Sequence, residues 1–169
     1  MDKEKLAYKK LAYMGLFCAL AILMGYIEAI LPIHIGIPGV KLGIVNIVII
    51  FVFYTLGWKE ALTISVIRIF VVGFLFGNLY SILFSLAGGV LSFLVMLILK
   101  KFHFHILTVS IAGGITHNLG QLLIASFVVQ VYSLMYFMPI MIVAGVAAGA
   151  VIGYLGHLAI KRLAYLMPK

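Results

Sequence analysis

Charged residues are scarce in this sequence, and acidic residues are the scarcest of them. Only 9% of the residues are charged, and Asp and Glu together number 4 against 12 Lys and Arg. The acids are Asp2, Glu4, Glu28 and Glu60, so two of them lie in the N-terminal tail. Because a magnesium and diphosphate site needs clustered carboxylates, the sequence excludes an enzyme built on such a site.

Several other chemical motifs are also missing. No glycine-rich loop ends in Lys-Ser or Lys-Thr, so the chain lacks a P-loop for ATP. The single cysteine, Cys18, lies in an apolar run and can form no internal disulfide. His103 and His105 have no acidic or thiol companions, which favours a basic loop touching anionic lipid over a metal site. We therefore predict no metal, no cofactor and no catalytic residue, and we expect that the chain is not an enzyme.

Long apolar runs dominate what is present. Hydrophobic residues make up 66% of the chain and the mean hydropathy is +1.29, whereas soluble domains are about 45–50% apolar. Runs of about 20 apolar residues are long enough to cross a bilayer as helices, while membrane strands would be short and alternating. The sequence predicts an all-α integral membrane protein with a single domain, 1–169, and six transmembrane helices at 11–31, 40–57, 61–77, 80–99, 106–131 and 138–160.

The positions of the basic residues predict the orientation of these helices. Ten Lys and Arg fall on one side of the predicted membrane, and only Lys41 falls on the other, with Arg68 inside a helix. The positive-inside rule then places both termini in the cytoplasm, with the protein in the plasma membrane. The formal net charge of +8 therefore reflects membrane orientation, and we predict no nucleic-acid partner.

Small residues recur at helical spacing in two places. Gly145, Gly149 and Gly153 lie on one face of the last predicted helix, and Gly15 with Ala19 forms a similar notch on the first. Such faces let two helix backbones approach closely. Packing inside the bundle and docking of a partner subunit both explain each face.

Polar residues within the predicted membrane region form a candidate binding site. Burying a charge in hydrocarbon costs several kcal/mol unless it is paired or hydrated, so Arg68 and His117, near the middle of their helices, are functional candidates. The predicted substrate-binding set is completed by polar residues of the outer half: Glu28, Lys41, Asn46, Asn78, Asn118 and Gln121. As an alternative, Glu28 pairs with Lys41 or Arg68 while the amides join helices. Residues 32–40 form either a lid over this site or an ordinary interfacial loop.

A set of short motifs resembles the Gx transporter family, often labelled heptaprenyl diphosphate synthase component I. The motifs lie between the second and fifth predicted helices and cover most of that stretch. They are Pro38-Gly-Val-Lys-Leu-Gly43 with Asn46, Gly57-Trp-Lys-Glu-Ala61 leading to Arg68, Phe76-Gly-Asn78, Ser85-Leu-Ala-Gly-Gly89, and His117-Asn-Leu-Gly-Gln121. The family is similar to the substrate-binding S components of energy-coupling factor (ECF) transporters.

This resemblance implies a function and a set of partners. An S component captures a small vitamin-, quinone- or prenyl-precursor-like solute from outside, together with a transmembrane coupling subunit and two cytoplasmic ATPases. A face such as Gly15 and Ala19 would dock on the coupling subunit. The alternatives are an accessory subunit of a prenyl diphosphate, quinone or extracellular electron-transfer system, and a channel or ion-coupled carrier. The synthase label fits poorly, because prenyl synthases use aspartate-rich motifs and the only aspartate here is Asp2.

Overall fold

The fold is a bundle of α-helices. A computed structural model describes residues 3–30 and 43–168. Within these ranges the structure contains no strand, and its helices are α1 (Lys3–Ile30), α2 (Val45–Thr55), α3 (Trp58–Phe76), α4 (Leu79–Lys101), α5 (Ile106–Val129) and α6 (Met138–Leu163). Two short 3-10 helices, Tyr132–Phe137 and Ala164–Leu166, flank α6.

Four helical stretches are long and apolar enough to cross a membrane, judged by length and composition. They are Glu4–Ile30, Leu79–Lys101, Ile106–Val129 and Tyr132–Leu166. Helix α2 is equally apolar but has 11 residues, which at 1.5 Å per residue is about half of the hydrocarbon thickness. Helix α3 has 19 residues and carries Lys59, Glu60 and Arg68. The chain is therefore an all-α membrane protein, which confirms the predicted fold class.

The helix boundaries differ most from the predicted ones at the starts of α1 and α2. Helix α1 begins at Lys3 and not at residue 11, because its charged first residues are good helix formers that a search for apolar runs passes over. Helix α2 begins at Val45 and not at residue 40. The predicted lid, residues 32–40, lies outside the described residues, and so does Lys41.

Contacts between sequence-distant residues place both chain termini at one end of the bundle, called the terminal end below. Lys10 of α1 forms a salt bridge with Glu60 at the start of α3. The Tyr13 hydroxyl donates a hydrogen bond to the Leu166 carbonyl at 3.0 Å, which joins α1 to the C-terminal 3-10 helix. The opposite end, called the distal end, carries the end of α1 and the connections after α3 and α5.

A lysine from α4 completes the terminal end of the short helix α2. Lys100 Nζ donates a hydrogen bond of 2.6 Å to the Phe53 carbonyl, in the last turn of α2. The same ammonium lies 4.2 Å from the centre of the Phe53 ring and 4.6 Å from that of Tyr54. A cation at a helix C-terminus interacts favourably with the exposed carbonyl groups. Lys100 therefore compensates for the early end of α2.

Glycines set the close packing of the last three helices. A Cβ atom on Gly149 would lie 2.6 Å from Cα of Ile111, and one on Gly145 would lie 2.7 Å from Cα of Ile115. With Gly153, these residues form the face of α6 that packs on α5, so the structure places this small-residue face inside the bundle. Gly15 and Ala19 are exposed on α1, and a Cβ atom on Gly15 would meet nothing within 4 Å. That notch takes no part in packing between the described helices.

The apolar core lies toward the terminal end. Its fully buried side chains include Phe53 of α2, Ile64 of α3 and Val109 of α5, and Phe93 of α4 packs edge-on against Phe53. This arrangement positions the polar site in the middle of the bundle, above a packed apolar base.

Candidate functional site

All six helices converge on a small polar cavity near the middle of the bundle, called the central cavity below. Its volume is about 50 Å³. Six of the eight predicted substrate-binding residues line it: Glu28, Asn46, Arg68, His117, Asn118 and Gln121. They come from α1, α2, α3 and α5, so side chains far apart in the sequence meet at one place.

Arg68 is the most unusual residue of this site. It lies ten residues into α3, which is about 15 Å from the start of the helix at 1.5 Å per residue. Its Nε atom is buried and has no hydrogen-bond partner in the structure. An unsatisfied buried donor on a charged group is costly, particularly in a protein surrounded by hydrocarbon. The Arg68 guanidinium therefore has a donor available for an acceptor placed in the cavity.

Glu28 connects the site to helix α2. Its Oε1 atom accepts a hydrogen bond of 2.6 Å from the backbone N–H of Ile44, the residue that precedes α2. A carboxylate at a helix N-terminus is favourable because it meets unpaired N–H groups and the positive end of the helix dipole. Glu28 also interacts electrostatically with Arg68. The predicted alternative, in which Glu28 pairs with Arg68, stays a prediction.

Arg68 also borders two further cavities. One, of about 70 Å³, lies between α1, α3 and α4 and is lined by Glu28, Gly73 and Ser85 among others. The other, of about 50 Å³ and called the serine cavity, extends toward the terminal end and contains Ser65, Ser92 and Ser110. His117 lines both the central and the serine cavities with Arg68. Arg68 and His117 therefore border the same two cavities.

The serine cavity extends the polar site toward the terminal end. Ser65 and Ser110 are buried, and with Ser92 they continue the polar lining beneath Arg68. Hydroxyl groups both donate and accept hydrogen bonds, so they suit a hydrated pocket of this size.

The amide groups differ in what they contact. Asn118 donates a hydrogen bond of 2.9 Å to the Met141 carbonyl, so this side chain joins α5 to α6 while it lines the central cavity. Gln121 lies one turn further along α5 and borders the central cavity and an adjoining apolar one. Asn118 therefore both joins two helices and lines the site, whereas Gln121 lines it.

Asn78 caps helix α4. Its side chain accepts a hydrogen bond of 2.9 Å from the Ser81 N–H, and the Ser81 hydroxyl accepts one of 3.0 Å from the Asn78 N–H. This reciprocal pair is a capping box at the start of α4. Asn78 lines none of the four cavities described here. Lys41, the remaining predicted residue, lies outside the described ranges.

A larger apolar cavity adjoins the polar site toward the distal end. This cavity, called the apolar chamber, has a volume of about 280 Å³. Its walls are mainly apolar side chains of α4, α5, α6 and the 3-10 helix before α6: Phe84, Leu122, Ala125, Val129, Leu134, Phe137 and Met141. These residues could not be identified from the sequence, because apolar side chains on apolar helices carry no signal that separates a cavity wall from a lipid-facing surface.

The histidines at the terminal end form no metal site in the described part of the chain. His105 Nδ1 accepts a hydrogen bond of 3.3 Å from the Leu107 N–H at the start of α5, and its ring lies 5.6 Å from that of His157. No group of three or more His, Cys, Asp or Glu side chains able to hold a metal ion occurs among residues 3–30 and 43–168.

Comparison with known families supports the resemblance seen in the sequence. The family model described as heptaprenyl diphosphate synthase component I matches residues 17–159. This match covers α2 to α5 completely, half of α1 and most of α6, so the chain belongs to that family. No curated protein and no solved structure matches the chain.

Proposed function

We propose that this member of the heptaprenyl diphosphate synthase component I family is a membrane-embedded subunit that binds a small molecule for uptake. The observation that supports this proposal is the buried Arg68 Nε without a hydrogen-bond partner, at the junction of three cavities. A concave site with a few convergent polar groups and an apolar wall is the usual form of a small-molecule site. Here Arg68 and Gln121 would bind the polar part of the solute.

The proposed direction of uptake depends on the distribution of charge. Lys10, Lys59, Lys100 and Lys161 all lie near the terminal end, and positive residues favour the cytoplasmic side. The distal end, toward which the apolar chamber extends, would then face outward in the plasma membrane. The solute would reach the central cavity from that side.

Partners would supply the energy and the coupling. The sequence has no P-loop, so ATP hydrolysis would be performed by two cytoplasmic ATPases. The exposed notch at Gly15 and Ala19 would contact a transmembrane coupling subunit, because small residues let a second helix approach closely. The chain itself would bind and release the solute without catalysing a reaction.

Native mass spectrometry of the gently purified protein tests this proposal. The wild-type protein should carry a bound small molecule, and Arg68→Ala should lose it while remaining folded, because the main unpaired donor of the site is gone. Arg162→Ala, at an exposed position near the end of α6, is the matched control and should keep the molecule. Equal occupancy in wild type and Arg68→Ala would contradict the proposal.

The second candidate is an accessory subunit of a prenyl diphosphate or quinone-related system, and the family description favours it. An accessory subunit would bind a partner enzyme and hold no small molecule. It would therefore tolerate substitutions such as Arg68→Ala and Asn46→Ala without losing that partner. Recovery of a stable partner complex in those variants, with an empty central cavity in the wild type, would support this candidate over the first.

A further inference from the structure

We propose that the central cavity and the apolar chamber together bind one compact amphiphile, with an apolar part of about ten carbons and a head group of at most one negative charge. This inference rests on the proposed binding function and specifies the class of its substrate. The evidence comes from the shape of the chamber, its continuity with the polar site, its volume and the local balance of charge.

The shape of the chamber follows from a close helix crossing. Helices α4 and α5 touch at Gly88 and Gly120, where a Cβ atom on Gly120 would lie 2.9 Å from Cα of Gly88. From that crossing toward the distal end, the space between the two helices is no longer filled, and Phe84 and Ala125 face the chamber. The 3-10 helix with Leu134 and Phe137 borders it further on. The glycine crossing thus forms the base of a wedge-shaped space.

The chamber and the central cavity share two residues. Ser85 of α4 and Gln121 of α5 line both of them. Neither residue is exposed, so they form a polar boundary between the apolar walls on one side and Arg68 on the other. A single molecule can therefore place a polar end beside Arg68 and an apolar end among the side chains of the chamber.

The volume of the chamber limits the apolar part of the molecule. A water-sized group occupies about 30 Å³ in a liquid, so a chamber of about 280 Å³ accommodates nine to ten such groups. This corresponds to a ten-carbon chain or a compact ring system.

The charges of the site limit the head group. Among the described residues that line these cavities, the full charges are those of Arg68 and Glu28, which sum to zero with His117 counted as neutral. A phosphate monoester alone carries about −1.5 to −2 at neutral pH, and a diphosphate carries more. Because unbalanced charge is costly here, an acceptor-rich neutral or singly charged head fits the site.

Two probes with the same ten-carbon chain test the proposed apolar part and the proposed head-group charge separately. Geraniol has a neutral alcohol head, and geranyl diphosphate has a multiply charged one. We expect the purified protein to bind geraniol, and to bind geranyl diphosphate about tenfold more weakly or worse. Equal or tighter binding of the diphosphate would overturn the limit on head charge. Failure of both probes to bind would overturn the assignment of a ten-carbon apolar part.

Substitutions in the chamber test its occupancy. Ala125→Phe fills the chamber and should weaken geraniol binding about tenfold, whereas Ala147→Phe, at an exposed position of α6, should change it less than about twofold. Val129→Trp, at a side chain that is 52% exposed beside the chamber, places less demand on folding and should also weaken binding. Unchanged binding in both chamber variants would overturn the inference.

The molecule that co-purifies with each variant shows whether the amphiphile proposal fails, the proposed binding function fails, or both fail. If native mass spectrometry shows a molecule that Arg68→Ala loses but Ala125→Phe and Val129→Trp retain, the binding function stands and the amphiphile is overturned. If the wild type carries no molecule and binds neither probe, both are overturned. A co-purified molecule that all three variants lose and Ala147→Phe retains supports both.

Discussion

Gly120 and Gly88 meet where α4 and α5 cross beside the candidate site. Both residues are buried, and a Cβ atom on Gly120 would also lie 3.0 Å from the Ala87 carbonyl oxygen. These neighbours are backbone atoms, which cannot move without displacing the helix. The crossing therefore contributes to the stability of this helix pair and forms the base of the apolar chamber.

Gly120→Ala should destabilise the protein by about 1–3 kcal/mol, because the new methyl group forces the two helices apart. Thermal unfolding in detergent measures this change. Gly15→Ala is the control: a Cβ atom there meets nothing within 4 Å, and alanine is a better helix former than glycine, so its stability should be equal or slightly higher. Wild-type stability in Gly120→Ala would show that the crossing is not tight.

Asn78→Ala should lower stability by about 0.5–2 kcal/mol, because it removes the side chain that accepts from the Ser81 N–H at the start of α4. It should leave small-molecule occupancy unchanged, since Asn78 lines none of the cavities described above. Asn78→Asp keeps an acceptor at the cap and should retain most of the stability. Loss of the bound molecule in Asn78→Ala, with Asn78→Asp also affected, would return Asn78 to the binding site.

The polar centre of the site could be predicted from the sequence, since buried charged and amide groups stand out against apolar helices. Arg68, His117 and Gln121 do meet in one cavity. Asn78 illustrates an ambiguity: an Asn between two helices with a Ser three residues later is also the pattern of a helix cap. That reading was available from the sequence, but hydropathy alone does not separate it from a binding role.

The apolar chamber and the serine cavity could not be predicted. Phe84 of α4 and Met141 of α6 line the chamber together, and the way in which two helices pack is not encoded in one residue pattern. Ser65 and Ser110 come from different helices, and each alone is an ordinary small residue. The end of α2 could not be predicted either, because apolar residues continue to Leu56 although the helix ends at Thr55.

Lys100→Met should destabilise the protein by about 1–3 kcal/mol, because it leaves the Phe53 carbonyl without its lysine donor and removes the contacts with two aromatic rings. Chemical or thermal unfolding of the purified protein measures the loss. Lys101→Met changes an exposed neighbour in the same turn and should have little effect. Equal stability in the two variants would mean that the terminal end of α2 does not depend on Lys100.

The salt bridge between Lys10 and Glu60 should give a stability term that depends on pH. Burial raises the pKa of Glu60, but the hydrogen bond and charge of Lys10 outweigh it and hold that pKa below its ordinary value of 4.5. The term is therefore fully present above pH 4.5 and is lost as the pH falls through the lower, folded-state pKa. In a double-mutant cycle of Lys10→Met and Glu60→Gln, the coupling energy at pH 7 should be about 0.2–1 kcal/mol and should vanish at low pH. A coupling that persists below that pKa would show that the two side chains interact through packing and not through charge.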